Sequence, residues 1–264
     1  MLFFPHQKYP SNWLYQVVDY SNSPLRMENF SLLRVSSRTP YQGKFEGEEA
    51  VFVLLQGKIK MWVEEKFLGE TAQRRSIFKD RASAFYLPPR VSYRLEAEEE
   101  SELVLVRALA ERGAPPTFFP PSAVVVKTMG KDTFEREVHT IVGENFPAEK
   151  LIVGETFNKP GLWSSYPPHR HEENRPPEEC FLEEIYHYRV ESEGGFGIQV
   201  LYTGDKKLEE AYLVKNGDTF VIPGGYHPVV AAPGYQLYYF WSLAGETRIL
   251  NPYDDPSHCW IKNL

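Results

Sequence analysis

The sequence predicts an all-β protein that contains two copies of one β unit. Three observations lead to this prediction: short runs rich in Val, Tyr, Phe and Ile, little helical periodicity, and two landmarks that recur at one spacing. The 264 residues include 21 prolines and 16 tyrosines. Prolines in such number interrupt helices, and aromatic residues favour pleated, half-buried strands.

Eleven runs read as strands, separated by Gly, Pro or charged turns at the spacing typical of a β-sandwich or barrel. They cover residues 50–56, 58–63, 84–87, 103–108, 123–127, 151–156, 185–190, 196–202, 210–214, 219–222 and 236–241. Short helices are expected only at residues 99–102 and near Pro256.

Two landmarks recur at an offset of 135 residues. Glu49 beside one apolar run corresponds to Glu184 beside another, and Pro88 corresponds to Pro223. Such self-similarity indicates a duplication. We therefore predict an N-terminal half at residues 1–113, a Pro-rich linker at 114–121 and a C-terminal half at 122–264.

Charge and hydropathy exclude several classes of function. The chain has 29 Lys and Arg against 36 Asp and Glu, a net charge of −7, and two cysteines. A nucleic-acid partner is not expected because phosphate binding needs a surplus of basic residues. No apolar run approaches the ~18 residues of a membrane span, and the N-terminus lacks the pattern of a secretory signal. We expect a cytoplasmic protein with no membrane partner.

The residues that carry chemistry lie in the second half. It holds His169 and His171, then Glu184, then His227, whereas the first half has Ser92 at the position equivalent to His227. On a strand, residues i and i+2 face one side, so the first two histidines are expected to point together. Three imidazoles and one carboxylate are a donor set for Zn, Mn or Fe that leaves coordination positions open. We predict that these four residues bind one divalent metal ion per chain, with zinc favoured over manganese or iron.

This joint pattern resembles the cupin superfamily, whose first motif carries His-x-His and a later Glu. The second cupin motif, G-x5-P-x-G-x2-H, fits Gly217, Pro223 and Gly225, although His227 arrives one residue early. The resemblance implies two tandem cupin barrels of the double-stranded β-helix, jelly-roll type. Only the C-terminal barrel would keep the metal ligands.

The first motif departs from the cupin pattern. Glu184 lies thirteen residues beyond His171, where the superfamily usually leaves four or five, and an inserted loop at 172–179 accounts for the difference. The loop also makes Glu178 and Glu179 rival ligands. Glu184 is preferred because it begins a strand-like run and corresponds to a glutamate of the other copy.

Longer strings closely resemble the 5-deoxy-glucuronate isomerase family of inositol catabolism. They are WSSYPPHRHEENRPPEE at 163–179, PGGYHPV at 223–229 and PGYQLYY at 233–239. Members of this family are bicupins related to uronate ketol-isomerases. The resemblance implies that a small sugar acid, 5-deoxy-D-glucuronate, is converted to the ketose acid 5-dehydro-2-deoxy-D-gluconate. A divalent metal would stabilise the developing oxyanion.

Four further residues are candidates for the site. By alternation from Glu184, Tyr186 and Tyr188 should face the same interior. Arg175 in the inserted loop could clamp a substrate carboxylate, and Glu173 could serve as the base. We predict Tyr186 and Glu173 as catalytic residues, and Arg175 and Tyr188 as substrate-binding residues. The alternatives are tyrosines that only fill space, a surface arginine and a solvated acidic loop.

Rival functions share the same ligand set. They are another uronate ketol-isomerase, an Fe(II)-dependent cupin dioxygenase, and a bicupin that binds a sugar acid without turnover. The sequence does not choose between proton and hydride transfer. A homo-oligomer is expected because two barrels expose sheet edges.

Overall fold

The structure, a computed structural model, describes residues 1–263 and consists almost entirely of β-strands. The predicted fold class is confirmed. The helices in this range are three short 3₁₀ segments, at Pro121–Ala123, Asp132–Phe134 and Cys259–Asn263. No helix found within residues 1–263 has the length and hydropathy needed to cross a membrane.

The strands are numbered here in chain order. They are β1 Phe3–Phe4, β2 Leu14–Val18, β3 Glu28–Val35, β4 Tyr41–Lys44, β5 Glu48–Gln56, β6 Ile59–Val63, β7 Lys66–Glu70, β8 Ala84–Leu87, β9 Ser92–Ala97, β10 Ser101–Leu109, β11 Thr117–Phe119, β12 Val125–Met129, β13 Arg136–Val142, β14 Leu151–Asn158, β15 Trp163–Ser164, β16 His169–Arg170, β17 Glu183–Val190, β18 Gly197–Tyr202, β19 Glu209–Val214, β20 Thr219–Ile222, β21 Val229–Ala231, β22 Leu237–Ala244 and β23 Tyr253–Asp254.

Every predicted strand overlaps an observed one, and β8 and β20 match their predicted bounds to the residue. The helix predicted at residues 99–102 is wrong. There β10 begins at Ser101, which pairs with Val35 of β3. Sheet pairing in the folded chain therefore outweighs the helical preference of the local glutamates.

The chain forms two compact units. The N-terminal unit comprises Gln7–Val125 and Thr140–Val153, and the C-terminal unit comprises Met1–His6, Val126–His139 and the chain from Gly154 onward. Relative to the predicted halves and linker, Met1–His6 lies in the C-terminal unit, and residues 114–125 and Thr140–Val153 lie in the N-terminal unit. Phe3 of β1 pairs with Phe220 of β20, which places the first residues in the C-terminal unit.

The N-terminal unit is built from two antiparallel sheets. One has the strand order β11-β8-β5-β10-β3-β2, and the other has the order β4-β9-β6-β7. Side chains from both sheets, among them Phe52, Phe85 and Leu105 from the first and Met61 and Leu95 from the second, form one fully buried cluster. Such packing of two inner faces is that of a β-sandwich or jelly roll.

The C-terminal unit repeats this plan around the predicted site. Its main sheet has the strand order β1-β20-β17-β22-β14-β13-β12, a second sheet has the order β15-β21-β18-β19, and β16 pairs with β23. Glu184 of β17 pairs with Leu243 of β22, and Glu49 of β5 pairs with Ala108 of β10. Both pairs are related by the same offset of 135 residues, so the duplication predicted from sequence holds at the level of strand register.

Candidate metal centre

Three side chains from different elements meet inside the C-terminal unit. Glu184 lies near the start of β17, His171 directly follows β16, and His227 lies between β20 and β21. Their ligand atoms all lie within 4.8 Å of one another. The Glu184 Oε2 atom is 3.1 Å from Nε2 of His171 and 3.3 Å from Nε2 of His227. All three side chains are buried.

Backbone carbonyls fix how the two imidazoles point. Nδ1 of His171 lies 2.5 Å from the Leu182 carbonyl oxygen, and Nδ1 of His227 lies 2.9 Å from that of Gly225. A carbonyl only accepts, so each Nδ1 carries the proton and each Nε2 keeps its lone pair for the cluster. Nε2 of His227 is buried without a hydrogen-bond partner. Nε2 therefore presents a lone pair towards a carboxylate oxygen, and a cation bound between the two atoms would satisfy both.

His169 lies beside the three-residue cluster. Its ring centroid is 4.9 Å from that of His227, and the His171 ring centroid is 5.0 Å from that of His227. Burial, helped by the nearby charges of His171 and Arg136, lowers the pKa of His169 to about 3. The imidazole is therefore neutral at physiological pH, the form that binds metals. The structure brings His169 to the centre, and its role as a ligand stays a prediction.

The electrostatics of the other two histidines differ. Burial lowers the pKa of His227 to about 3, although Glu184 acts in the opposite direction. For His171, burial also disfavours the charged form, but the hydrogen bond and charge of Glu184 outweigh it and raise the pKa. Glu184 thus favours the charged form of both histidines, and this effect exceeds that of burial only at His171.

The predicted alternation along β17 places two tyrosines beside Glu184. The Tyr186 hydroxyl lies 3.0 Å from Oγ of Ser165, and its ring centroid is 6.1 Å from that of His227. The Tyr188 hydroxyl donates to Oε1 of Gln199 at 2.7 Å. Burial raises the pKa of both phenols well above the ordinary value. Both therefore remain hydrogen-bond donors at neutral pH.

The inserted loop is held by a buried carboxylate. Glu179 accepts the backbone N–H groups of Glu172 and Glu173 at 2.8 and 3.0 Å, and Nη2 of Arg175 lies 2.8 Å away. The side chain of Glu178 is exposed. The group of possible ligands within residues 1–263 contains Glu184 and neither of these rivals.

Two predicted site residues lie in this loop and pair with each other. Nε of Arg175 is 2.7 Å from Oε2 of Glu173, and both side chains are exposed. Glu173 is also 2.8 Å from Arg170. Arg175, the predicted carboxylate clamp, and Glu173, the predicted base, thus form ion pairs within the loop and with Arg170. Their roles in binding and catalysis stay predictions.

Sequence reasoning missed several groups around the centre. Gln199 donates from Nε2 to the backbone oxygen of His227 at 3.0 Å. The Tyr239 ring lies 4.4 Å from that of Tyr186, and the charge of Arg136 acts on both phenols. Arg136 and Gln199 lie outside the strings at 163–179, 223–229 and 233–239, and Tyr239 ends the last of these without being singled out.

The chain has the cupin fold in two β units, and the part of it that the structure describes holds one candidate metal centre. A sequence model of the KduI/IolB family matches residues 3–261. The chain therefore belongs to the KduI/IolB family, and it is an isomerase of that family.

Individual proteins support this assignment. The 5-deoxy-glucuronate isomerase of Geobacillus kaustophilus is 38% identical over 81% of this chain and 78% of its own length. An IolB-like protein from Salmonella typhimurium LT2 superposes with a TM-score of 0.93 at 28% identity, over 99% of both chains. A cupin 2 conserved barrel domain protein from Leptotrichia buccalis shares the fold, with a TM-score of 0.51 at 14% identity over 90% of this chain and 92% of its own.

Proposed function

We propose that this chain is a metal-dependent aldose–ketose isomerase that converts 5-deoxy-D-glucuronate to 5-dehydro-2-deoxy-D-gluconate in myo-inositol catabolism. The observation that carries the proposal is the buried cluster of His171, Glu184 and His227, in a chain similar to proteins named for this isomerisation. The substrate is a small sugar acid, and the enzyme acts in the cytoplasm.

In the proposal, His169, His171, Glu184 and His227 hold one divalent ion, with zinc favoured over manganese or iron. Imidazole nitrogens and a carboxylate oxygen match the ligand preferences of these metals. A bound cation of this kind polarises the carbonyl and the adjacent hydroxyl of an aldose and stabilises developing negative charge on oxygen.

Tyr186 is the proposed proton donor of the site. Its hydroxyl is protonated, buried, and hydrogen-bonded to Ser165 rather than to a carboxylate. It can therefore donate to a substrate oxygen as charge builds there. Tyr188 is proposed to contact substrate from the same face of β17, with Gln199 fixing its hydroxyl.

Glu173 is proposed to act from the inserted loop as base, and Arg175 as a substrate-binding residue. The ion pair between Glu173 and Arg175 must break before either residue can act on the substrate. While Arg170 and Arg175 bind the Glu173 carboxylate, it is a weaker base. Glu173 and Arg175 are both exposed and so can exchange partners at small energetic cost.

Burial favours this chemistry. Glu184, Tyr186 and His227 are each at most 5% exposed. Water is largely excluded from them, and charge interactions are stronger in such surroundings than in water.

The direct test is NMR of 5-deoxy-D-glucuronate incubated with the purified protein. The aldehyde hydrate signal should disappear and ketose signals should replace it, without oxygen consumption. A matched variant, His258→Ala, removes a histidine outside the centre and should behave as the wild type. No change in the spectrum with metal-loaded protein would contradict the proposal, and stoichiometric oxygen uptake would favour a dioxygenase.

A further inference from the structure

Arg136 lies beside the centre, and no ion pair to it is found among residues 1–263. Arg136 begins β13, and its guanidinium is half-buried. Nη1 donates to the backbone oxygens of Phe134 at 3.2 Å and Tyr166 at 3.1 Å. Within residues 1–263, Nε and Nη2 have no protein acceptor, and neither is sealed from solvent. Two of the nitrogens are thus available to a ligand.

No carboxylate within the described chain neutralises this charge. The ionisable groups that act on the guanidinium are the hydroxyls of Tyr239 and Tyr186. Other arginines near the centre are paired: Arg170 with Glu172, and Arg175 with Glu179. A charge that is removed from water without a partner costs free energy, so a half-buried arginine of this kind indicates an anion supplied by a ligand.

The position of Arg136 relative to the centre is consistent with that role. Its charge acts on His169 and on Tyr186. The Tyr186 ring in turn lies 6.1 Å from the ring of His227. Tyr186 is thus near both the cluster and this guanidinium, so a ligand that reached both would lie close to Tyr186.

We propose that Arg136 binds the carboxylate of the sugar-acid substrate and so selects uronates over neutral sugars. The inference rests on the proposed function and assigns to Arg136 the anchoring role that the sequence suggested for Arg175. A planar guanidinium with two free donors can bind both oxygens of a carboxylate.

The test measures binding rather than turnover. Calorimetry on the metal-loaded protein compares D-glucuronate with D-glucuronamide, which has the same shape and no charge. The wild type should bind the acid about 10- to 100-fold more tightly, as expected for charge-assisted hydrogen bonds. Arg136→Gln should abolish this preference, and Arg38→Gln, at an exposed arginine of the N-terminal unit, should keep it.

A second variant separates charge from structure. Arg136→Lys keeps a cation but loses the planar fork, so it should retain part of the preference for the acid. If Arg136 only held the backbone of Phe134 and Tyr166, substitution would weaken binding of acid and amide equally. That result would overturn the proposal, as would a wild type that binds both ligands alike or an Arg136→Gln protein with its preference intact.

These outcomes are distinct from those of the proposed function. A protein that fails to convert 5-deoxy-D-glucuronate, yet shows a charge preference that depends on Arg136, would contradict the isomerisation alone. A protein that converts the substrate without such dependence would contradict the role of Arg136 alone.

Discussion

Two glutamates at equivalent positions perform different tasks in the two copies. Glu184 faces two imidazoles. In the N-terminal unit, Glu49 is fully buried and accepts the backbone N–H groups of Glu149, Lys150 and Leu151 at 2.7 to 2.8 Å. The equivalent glutamates thus differ in role: Glu184 belongs to the candidate metal centre, whereas Glu49 holds the backbone of residues 149–151.

The first prediction compares these two residues. Glu49→Gln replaces one carboxylate oxygen with an NH₂ donor, so at least one backbone N–H loses its acceptor. The free energy of unfolding should therefore fall by about 1–3 kcal/mol, with metal content unchanged. Glu184→Gln should lose most of the bound metal. Urea denaturation and elemental analysis of both variants measure this. Loss of metal in the Glu49 variant alone would contradict the division of roles.

A second prediction concerns Tyr186. Tyr186→Phe removes one hydroxyl but no part of the cluster, so metal content should remain at the wild-type level. Turnover of 5-deoxy-D-glucuronate should fall by about 10²–10⁴-fold, the usual contribution of a positioned proton donor. Steady-state kinetics alongside elemental analysis provide the measurement, and an unchanged kcat would remove Tyr186 from the reaction.

The third prediction is a pH dependence of the metal-free protein. Burial holds the pKa of His227 at about 3, whereas a histidine in the unfolded chain has a pKa of about 6.5. The unfolded state therefore binds more protons below about pH 6.5, and the free energy of unfolding should decrease as pH falls from there towards 3. This residue contributes at most about 1.4 kcal/mol per pH unit.

Urea denaturation in the presence of a chelator, at several values between pH 7 and pH 4, tests this slope. His227→Gln should show a shallower dependence than the wild type. Equal slopes for the two proteins would show that His227 does not stay neutral in the folded state.

At the scale of elements, the centre depends on a link between β17 and β18. Tyr188 of β17 donates to Gln199 of β18, and the amide of Gln199 donates to the backbone oxygen of His227. The two hydrogen bonds fix the segment that carries His227 against two strands. Residues that orient a ligand in this way commonly affect metal affinity without touching the metal.

The fourth prediction follows from this link. Gln199→Met should weaken metal binding by about 10- to 100-fold, and Tyr188→Phe should weaken it less because the amide still reaches His227. Competition with a chromophoric chelator measures the affinities. Tyr212→Phe, on exposed β19, is the matched control. Wild-type affinity in the Gln199 variant would contradict the argument.

Strands with clear local patterns were predictable, and strands defined by distant partners were not. Runs such as 84–87 and 219–222 are apolar and bounded by Pro or charged residues. By contrast, β3 begins with two buried polar residues, Glu28 and Asn29. Both faces of this strand are buried, so its sequence does not alternate between apolar and polar residues. The two residues of β1 carry too little pattern, and only their pairing with β20 defines them.

At the scale of the whole molecule, the sequence predicted the duplication and the half that carries the chemistry. Within residues 1–263, the one cluster of possible metal ligands lies in the C-terminal unit. The unit boundaries were less predictable. Met1–His6 and Thr140–Val153 each belong to the unit other than their position in sequence suggests, because long-range pairing decides membership.

The site was predictable to a similar extent. Motif spacing identified His171, Glu184 and His227, whose side chains meet in the structure. Arg136 and Gln199 were not identifiable, because each reaches the centre from a strand remote in sequence. Contacts of this kind follow from the fold and leave no local pattern.

The most direct test of the account is the metal content of the purified protein, measured by elemental analysis. We expect about one divalent ion per chain in the wild type and in His258→Ala. The double variant His169→Ala with His171→Ala should contain almost none while remaining folded by circular dichroism. Full metal content in that double variant would place the ion elsewhere and contradict the assignment of the centre.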